Sequence, residues 1–187
     1  MFVALLLTAC AESSKQTDTA QEPSAQFSDY ECTNAVSLDH GAMSELNKVI
    51  VFSFAYGEAF ESLNLMNAAV GYNYGPNHFP SQSGYEYEWL TTEGNLIESF
   101  TKLPPIFYYP EDAGCMLFDP TEADYTIAID FNNPEVRRLQ VSELSYELVC
   151  ENGSYQGQER TLIDIDLHPC LEALCTQSND DPWCETE

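Results

Sequence analysis

The sequence predicts a mainly β fold, an antiparallel β-sandwich of about seven or eight strands with little helix and with disulfide bonds. Three observations lead to this class. Apolar and polar residues alternate with a period of two in several short runs, which is the pattern of a strand with one buried face. Turn residues separate these runs. No helical stretch between them is long enough for the crossover that parallel strands require.

The first predicted strand is Lys48–Tyr56, in which Ile50, Phe52, Phe54 and Tyr56 share one face. Ser62–Gly71 follows and fits either a strand or a helix, since its apolar residues also have helical spacing. In Tyr85–Trp89 aromatic residues alternate with Glu86 and Glu88. That run enters a turn containing Gly94 and continues into Leu96–Thr101, which predicts a hairpin.

The second half of the chain repeats the pattern. Alternating or apolar runs occur at Tyr125–Phe131, Leu139–Val141, Leu144–Cys150 and Leu162–His168. In the last of these, Ile163, Ile165 and Leu167 are expected to point inward. Helix is expected only as a turn or two near Ala35–Asn47 and near Pro169–Leu174.

Composition limits the function. The chain has 187 residues, enough for one domain, with 6 Lys+Arg against 31 Asp+Glu and a net charge of −25. Six cations cannot neutralise a phosphate track, which argues against a nucleic-acid partner and against a basic face for anionic membranes. The acidity is consistent with adaptation to a salty medium or with cation binding.

The N-terminus carries the most specific motif. Met1–Ala9 is uncharged, is too short to span a bilayer and ends in small residues before Cys10. Leu7-Thr-Ala-Cys10 resembles the lipobox of bacterial lipoproteins. The resemblance implies a signal peptide at 1–9 and a lipid on Cys10. The composition after it and the strand pattern beyond predict a lipidated flexible tether at 10–29 and a single β-sandwich domain with a cysteine-containing tail at 30–187. The alternative is an ordinary cysteine in a buried N-terminal strand or helix.

That resemblance also implies a location. A lipid-anchored chain of this kind belongs to the bacterial cell envelope, with the membrane as its partner through the N-terminal lipid. Ala11 rather than Asp after the cysteine resembles lipoproteins sent to the outer membrane, either periplasmic or surface-exposed. The tether composition, rich in Ser, Thr, Gln and Ala, predicts a segment that does not fold.

Cysteine usage agrees with export. Of seven cysteines, six remain after Cys10, and an even number in an exported chain predicts up to three disulfides. The spacing does not fix the pairing, although Cys175 with Cys184 is the favoured local pair. Free buried thiols and metal ligation are the alternatives. The candidates are Cys32, Cys115, Cys150, Cys170, Cys175 and Cys184.

The sequence contains no recognisable catalytic motif, and we assign no catalytic residue, resident metal or cofactor. Asp164, Asp166 and His168 fall on one face of a strand, as cation ligands or simply as its solvent side. Asp130–Glu135 offers oxygen ligands without the spacing of an EF-hand. Glu86 and Glu88 fit either a glycosidase-type carboxylate pair or the wetted face of a sheet.

Aromatic residues are the remaining functional signal. Tyr85, Tyr87 and Trp89 are expected in the core. Tyrosines in Gly-, Pro- and Asn-rich loops have a stacking face and a hydroxyl, which suit sugar or protein recognition. The speculative ligand-binding residues are Tyr72, Tyr74, Tyr108 and Tyr109.

The strand plan in 85–100 and 125–141 loosely resembles immunoglobulin-like domains of secreted bacterial proteins, a resemblance of architecture that does not transfer function. The sequence therefore predicts an envelope-anchored, non-catalytic binding or structural module, whose partner is an envelope protein or a polysaccharide. A carbohydrate-binding module using loop aromatics is the first alternative. A hydrolase with an unrecognised site is the second.

Overall fold

The computed structural model describes residues 29–34, 47–73, 84–108, 114–119, 124–130, 133–177 and 184. Cys10 and the expected tether up to Ser28 lie outside the described residues, as does most of the helix expected near Ala35–Asn47. In chain order the strands are β1 Cys32–Asn34, β2 Asn47–Tyr56, β3 Leu63–Asn73, β4 Tyr85–Leu90, β5 Leu96–Lys102, β6 Phe107–Tyr108, β7 Met116–Leu117, β8 Asp124–Asp130, β9 Arg138–Glu143, β10 Glu147–Cys150, β11 Gly153–Gln156 and β12 Arg160–Asp166. A single α-helix, α1, spans His168–Gln177 in this part of the chain.

Two four-stranded sheets form a β-sandwich, as the sequence predicted. Sheet 1 has the strand order β1-β3-β2-β8 and sheet 2 the order β12-β9-β4-β5. Their inner faces share one hydrophobic core, in which the rings of Tyr56 and Tyr85 from opposite sheets lie 6.5 Å apart. The remaining described strands form two small antiparallel ladders, β6–β7 and β10–β11. Eight of the described strands build the two sheets, in line with the expected seven or eight. Seven of them match predicted runs. The eighth, β1, was not predicted, and the run expected over Leu144–Cys150 corresponds to β10 of a small ladder.

The period-two pattern determines which residues are inside. Ile50, Phe52, Phe54 and Tyr56 of β2 are buried, and so are Tyr85, Tyr87 and Trp89 of β4. Ser62–Gly71, which allowed a strand or a helix, is the strand β3. It pairs with β2 along its length in antiparallel register, with one irregularity after Ser53. Pairing with a long neighbour outweighs the helical spacing of its apolar residues.

The β4–β5 connection is the predicted hairpin. Its turn is closed by hydrogen bonds from the Thr91 N–H to the Asn95 carbonyl and from the Gly94 N–H to the Thr91 carbonyl, both 3.0 Å. Gly94 has a φ of +82°, a conformation that glycine adopts without the steric cost of a side chain.

Two features differ from expectation. The short strand β1 pairs with β3 in parallel, so sheet 1 is not wholly antiparallel. The strand expected over Leu144–Cys150 begins only at Glu147, because β9 continues to Glu143 and a turn separates the two.

Helix α1 is longer than the predicted turn near Pro169–Leu174. It buries Cys170, Leu171 and Leu174, which share one face, and it packs against β1 and β3. At its start the Asp166 carboxylate accepts a hydrogen bond of 2.9 Å from the His168 N–H, one of the N–H groups that a helix leaves unpaired in its first turn. The helix thus closes one end of sheet 1.

Three disulfides cross-link the domain. Cys175 pairs with Cys184, the pair favoured from the sequence. Cys32 of β1 pairs with Cys170 of α1. The third bridge joins Cys115, next to β7, to Cys150 of β10, and so connects the two small ladders.

Candidate functional site

An open groove of about 740 Å³ lies between the N-terminal end of the described domain and helix α1. One wall is formed by Tyr30, Glu31 and Cys32, and the other by residues of α1 from Pro169 to Thr176. A cavity of this volume is within the range of protein sites that bind small molecules or peptide side chains. The groove is our candidate functional site.

Covalent and hydrogen bonds fix the position of both walls. The Cys32–Cys170 disulfide holds the two Cα atoms 4.8 Å apart. The Tyr30 hydroxyl donates a hydrogen bond of 2.7 Å to the main-chain carbonyl of Asp166, just before the helix. Burial raises the pKa of Tyr30 above its ordinary value, so the phenol stays protonated and remains a donor. The groove is therefore already formed in the free protein.

The groove combines apolar surface with negative charge. Tyr30, Pro169 and Ala173 supply ring and aliphatic atoms, while Glu31 and Glu172 supply carboxylates. The side chain of Glu172 is 70% exposed and lies 3.3 Å from the imidazole Nε2 of His168, one turn earlier. No lysine or arginine is among the described residues that line the groove.

The last turn of α1 adds to the negative potential. Cys175 and Thr176 line the groove at this end of the helix, and the helix has no basic residue in its last turn. Carbonyl groups at a helix C-terminus carry a partial negative charge that a cation normally compensates. The Thr176 hydroxyl donates to the Ala173 carbonyl at 2.8 Å, within the helix. No basic side chain of the helix's own last turn compensates the partial charge there.

The three arginines of the chain bind groups elsewhere. Arg138 forms an ion pair with Asp164, and Arg160 forms one with Glu143 at 3.0 Å. Arg137 donates from Nη1 to the carbonyls of Pro134 and Val136, at 2.6 and 2.9 Å. The arginines therefore leave the surface carboxylates around the groove unneutralised.

A second cluster of polar side chains, buried in the fold, surrounds Glu143. Its side chain is fully buried and accepts hydrogen bonds from the hydroxyls of Tyr155, at 2.7 Å, and Tyr146, at 3.3 Å. Arg160 also donates to the Phe60 carbonyl at 3.2 Å, where Ala59 and Phe60 both have positive φ. Burial raises the pKa of both tyrosines. The cluster ties β9, β11 and β12 to the turn after β2, which is a structural role.

From the sequence, Asp164, Asp166 and His168 were interpreted as cation ligands or as the solvent side of a strand. Both interpretations are wrong for Asp164. Asp164 does not lie on a solvent face, since its side chain is 2% exposed and binds the Arg138 guanidinium through both carboxylate oxygens. The stretch 162–165 is buried throughout, so both faces of β12 are covered there. The Asp166 carboxylate binds the start of α1, and His168 is exposed beside Glu172.

Glu86 and Glu88 lie on the outer face of sheet 2, as the wetted-face interpretation predicted. The Gln140 amide donates weakly to Glu88, at 3.4 Å, and to Ser142 at 3.3 Å. Partial burial, and secondarily the nearby charge of Glu86, raise the pKa of Glu88. The calcium-loop candidate Asp130–Glu135 lies partly outside the described residues. Within it, the Asn133 side chain accepts a bond from the Glu135 N–H.

The structure describes only part of the four tyrosines that the sequence analysis predicted as ligand-binding residues. Tyr72 is a residue of β3, opposite Lys48, and Tyr108 is a residue of β6, opposite Met116. Their side chains, and Tyr74 and Tyr109 altogether, lie outside the described residues. Tyr85, Tyr87 and Trp89 are core residues, as expected.

The groove residues were missed by the sequence analysis. Tyr30, Glu31 and Glu172 belong to no motif, and they come together where Cys32 pairs with a cysteine 138 residues away. The pairing of Cys32 with Cys170 would have been the signal, and cysteine spacing alone does not give it.

Comparisons with known proteins give no relative, since no family profile, no curated protein and no solved structure matches the chain. Within the part of the chain that the structure describes, no helix has the length and apolarity needed to cross a membrane. Among the same residues, no three His, Cys, Asp or Glu side chains are grouped as metal ligands.

Proposed function

We propose that this protein is a lipid-anchored binding module of the bacterial cell envelope. It binds its partner in the groove between β1 and α1 and catalyses no reaction. The observation that carries the proposal is the groove itself, an open cavity with a covalently fixed wall on either side. Preformed walls lower the entropy cost of binding, which favours a recognition surface.

The three disulfides support the export that the proposal requires. Disulfides persist in oxidising compartments such as the periplasm and the cell surface and are rare in the cytosol. The lipobox-like Leu7–Cys10 supplies the anchor in this proposal. The two-sheet architecture supports the β-sandwich on which the proposed module is built.

The anchor is tested by replacing the acylated residue. Cys10→Ser is expected to abolish acylation and to move the protein from the membrane fraction to the soluble fraction of the envelope. Thr8→Ser, which keeps a small residue in the same motif, serves as the control and should stay with the membrane. Mass spectrometry of the mature N-terminus reads the lipid directly. A Cys10→Ser protein that fractionates like the wild type contradicts the anchored module.

Binding through the groove is tested in cells with a photo-reactive residue. Benzoylphenylalanine at Thr176, on the rim of the groove, is expected to give discrete cross-linked species on irradiation. The same residue at the exposed Ser99 of β5, on the other sheet, is the control and should give none. Equal cross-linking from both positions, or from neither, contradicts the groove as the binding surface.

A further inference from the structure

The chemistry of the groove identifies the class of ligand that it fits. We infer that the groove binds a lysine- or arginine-bearing segment of another polypeptide, an inference that rests on the proposed function above. Each part of the groove matches one part of such a side chain.

The apolar surface fits the aliphatic stem. Lysine and arginine carry methylene chains that pack on apolar surface while the charged group stays hydrated. Pro169, Ala173 and the half-buried ring of Tyr30 provide that surface in the groove. The Tyr30 ring also offers a π-face on which a cation is attracted.

The charged end of the ligand meets negative groups. Glu31 lies on one wall and Glu172 on the other, and the last turn of α1 presents its carbonyl groups without a basic side chain in that turn. All three favour a cation and disfavour an anion. A segment rich in aspartate or glutamate, or a phosphate group, would be repelled by the same surface.

The rest of the molecule strengthens this selection. With a net charge of −25 and the arginines bound to carboxylates and carbonyls of the fold, the domain attracts cationic partners over long range. Such steering raises association rates and falls as salt is added. Specificity then has to come from the groove, because steering alone acts on the whole surface.

The test is a titration of the purified protein with a capped octapeptide of alternating lysine and alanine, monitored by calorimetry. The matched peptide replaces each lysine by glutamine. We expect saturable binding of the lysine peptide and at least about tenfold weaker binding of the glutamine peptide, since tenfold corresponds to the loss of roughly two modest ion pairs. Equal affinity for both peptides overturns the inference.

Variants separate the groove from general attraction by the acidic surface. Glu31→Gln combined with Glu172→Gln should weaken the lysine peptide about as much as removing its charge, roughly tenfold. The control pair Glu135→Gln with Glu147→Gln removes the same charge from exposed positions outside the described lining of the groove, and should change affinity less than about twofold. An equal loss in both pairs means that binding is non-specific and overturns the site.

A neutral block completes the design. Ala173→Trp fills the groove without changing charge and should weaken binding of the peptide, whereas Ser99→Trp on β5 should not. Circular dichroism and thermal melting verify that each variant is folded. If cross-linking from Thr176 occurs in cells while the lysine peptide fails to bind, the ligand class is wrong and the binding module stands. If cross-linking also fails, the proposed function falls as well.

Discussion

Arg138 and Arg160 neutralise the two carboxylates that the described fold buries. Asp164 and Glu143 are both almost inaccessible, and each lies against one guanidinium. A buried charge without a partner costs several kcal/mol. Two of the few cations of this acidic chain therefore lie beside its buried carboxylates and offset that cost. Glu143 and Arg160 are also directly opposite each other in the β9–β12 register.

We expect Glu143→Ala to lower the free energy of unfolding by about 3 kcal/mol, because it removes the ion-pair partner of Arg160 and the acceptor of two tyrosine hydroxyls. Glu143→Gln keeps an acceptor oxygen for Tyr155 and should cost roughly half as much. Glu147→Gln, an exposed carboxylate on β10, is the control and should stay within about 0.5 kcal/mol of wild type. Urea denaturation measures all three. A Glu143→Ala protein as stable as the control would show that the cluster does not stabilise the fold.

These residues also show where sequence reasoning stops. The buried face of β2 was predicted correctly, since alternation of large apolar residues with small ones leaves one arrangement that excludes water. The burial of Asp164 was not predicted, because a charged residue at an alternate position in a strand has the pattern of a solvent-facing residue. Only the pairing of β12 with β9 brings Arg138 to it, and strand pairing between distant segments is not encoded in local pattern.

Among the elements, the disulfides differ most in the length of chain that they close. Cys32–Cys170 closes 138 residues, Cys115–Cys150 closes 35 and Cys175–Cys184 closes 9. In the chain-entropy description a longer loop restricts the unfolded state more. The three bridges should therefore contribute unequally.

Replacing each cysteine pair by alanine is expected to destabilise the domain in that order. The entropy relation gives roughly 5, 4 and 2.5 kcal/mol for the three bridges at 25 °C, as upper values. Guanidinium denaturation of the three double variants, each compared with wild type, measures the order. The largest loss from the Cys175/Cys184 variant would contradict it and would mean that native packing around the tail, rather than loop closure, sets the stability.

The elements also divide into those that local sequence predicts and those that it does not. The β4–β5 hairpin and the Cys175–Cys184 bridge were predicted because their partners are neighbours in the chain. The parallel β1–β3 pair and the Cys32–Cys170 bridge were not, because their partners are remote. The groove lies between β1 and α1, the elements that the Cys32–Cys170 bridge joins. Its residues were therefore not recognised from local sequence, whereas the two sheets were predicted.

At the scale of the whole molecule, charge opposes compaction. A net charge of −25 on a chain of 187 residues produces self-repulsion that is strongest at low ionic strength, where screening lengths exceed the spacing of surface carboxylates. Burial also lowers the pKa of Lys102, one of the few positive groups. The folded state is therefore expected to gain from electrolyte.

We expect the melting temperature to rise with NaCl between roughly 0.01 and 0.5 M, as screening lengths fall from about 30 Å to a few ångströms. Calcium chloride at equal ionic strength should add nothing further, because its effect would be screening alone. Differential scanning calorimetry at matched ionic strength makes the comparison. A large gain at micromolar calcium would instead reveal a built cation site, with Asp130–Glu135 as the first segment to substitute.

The bond between Cys32 and Cys170 has a mechanical consequence. Cys32 is also the first of the three β1 residues that pair with β3, so tension applied to the chain ahead of it meets the covalent link at the point where the strand pairing begins. Load is passed directly to α1, whose buried face is anchored in the core, and the sheet is not peeled from its edge. If the proposed N-terminal anchor holds the domain to a membrane, a pull on that anchor would meet the disulfide and would not separate β1 from the sheet by itself. Chemical reduction would remove that protection and leave one short strand to resist the pull.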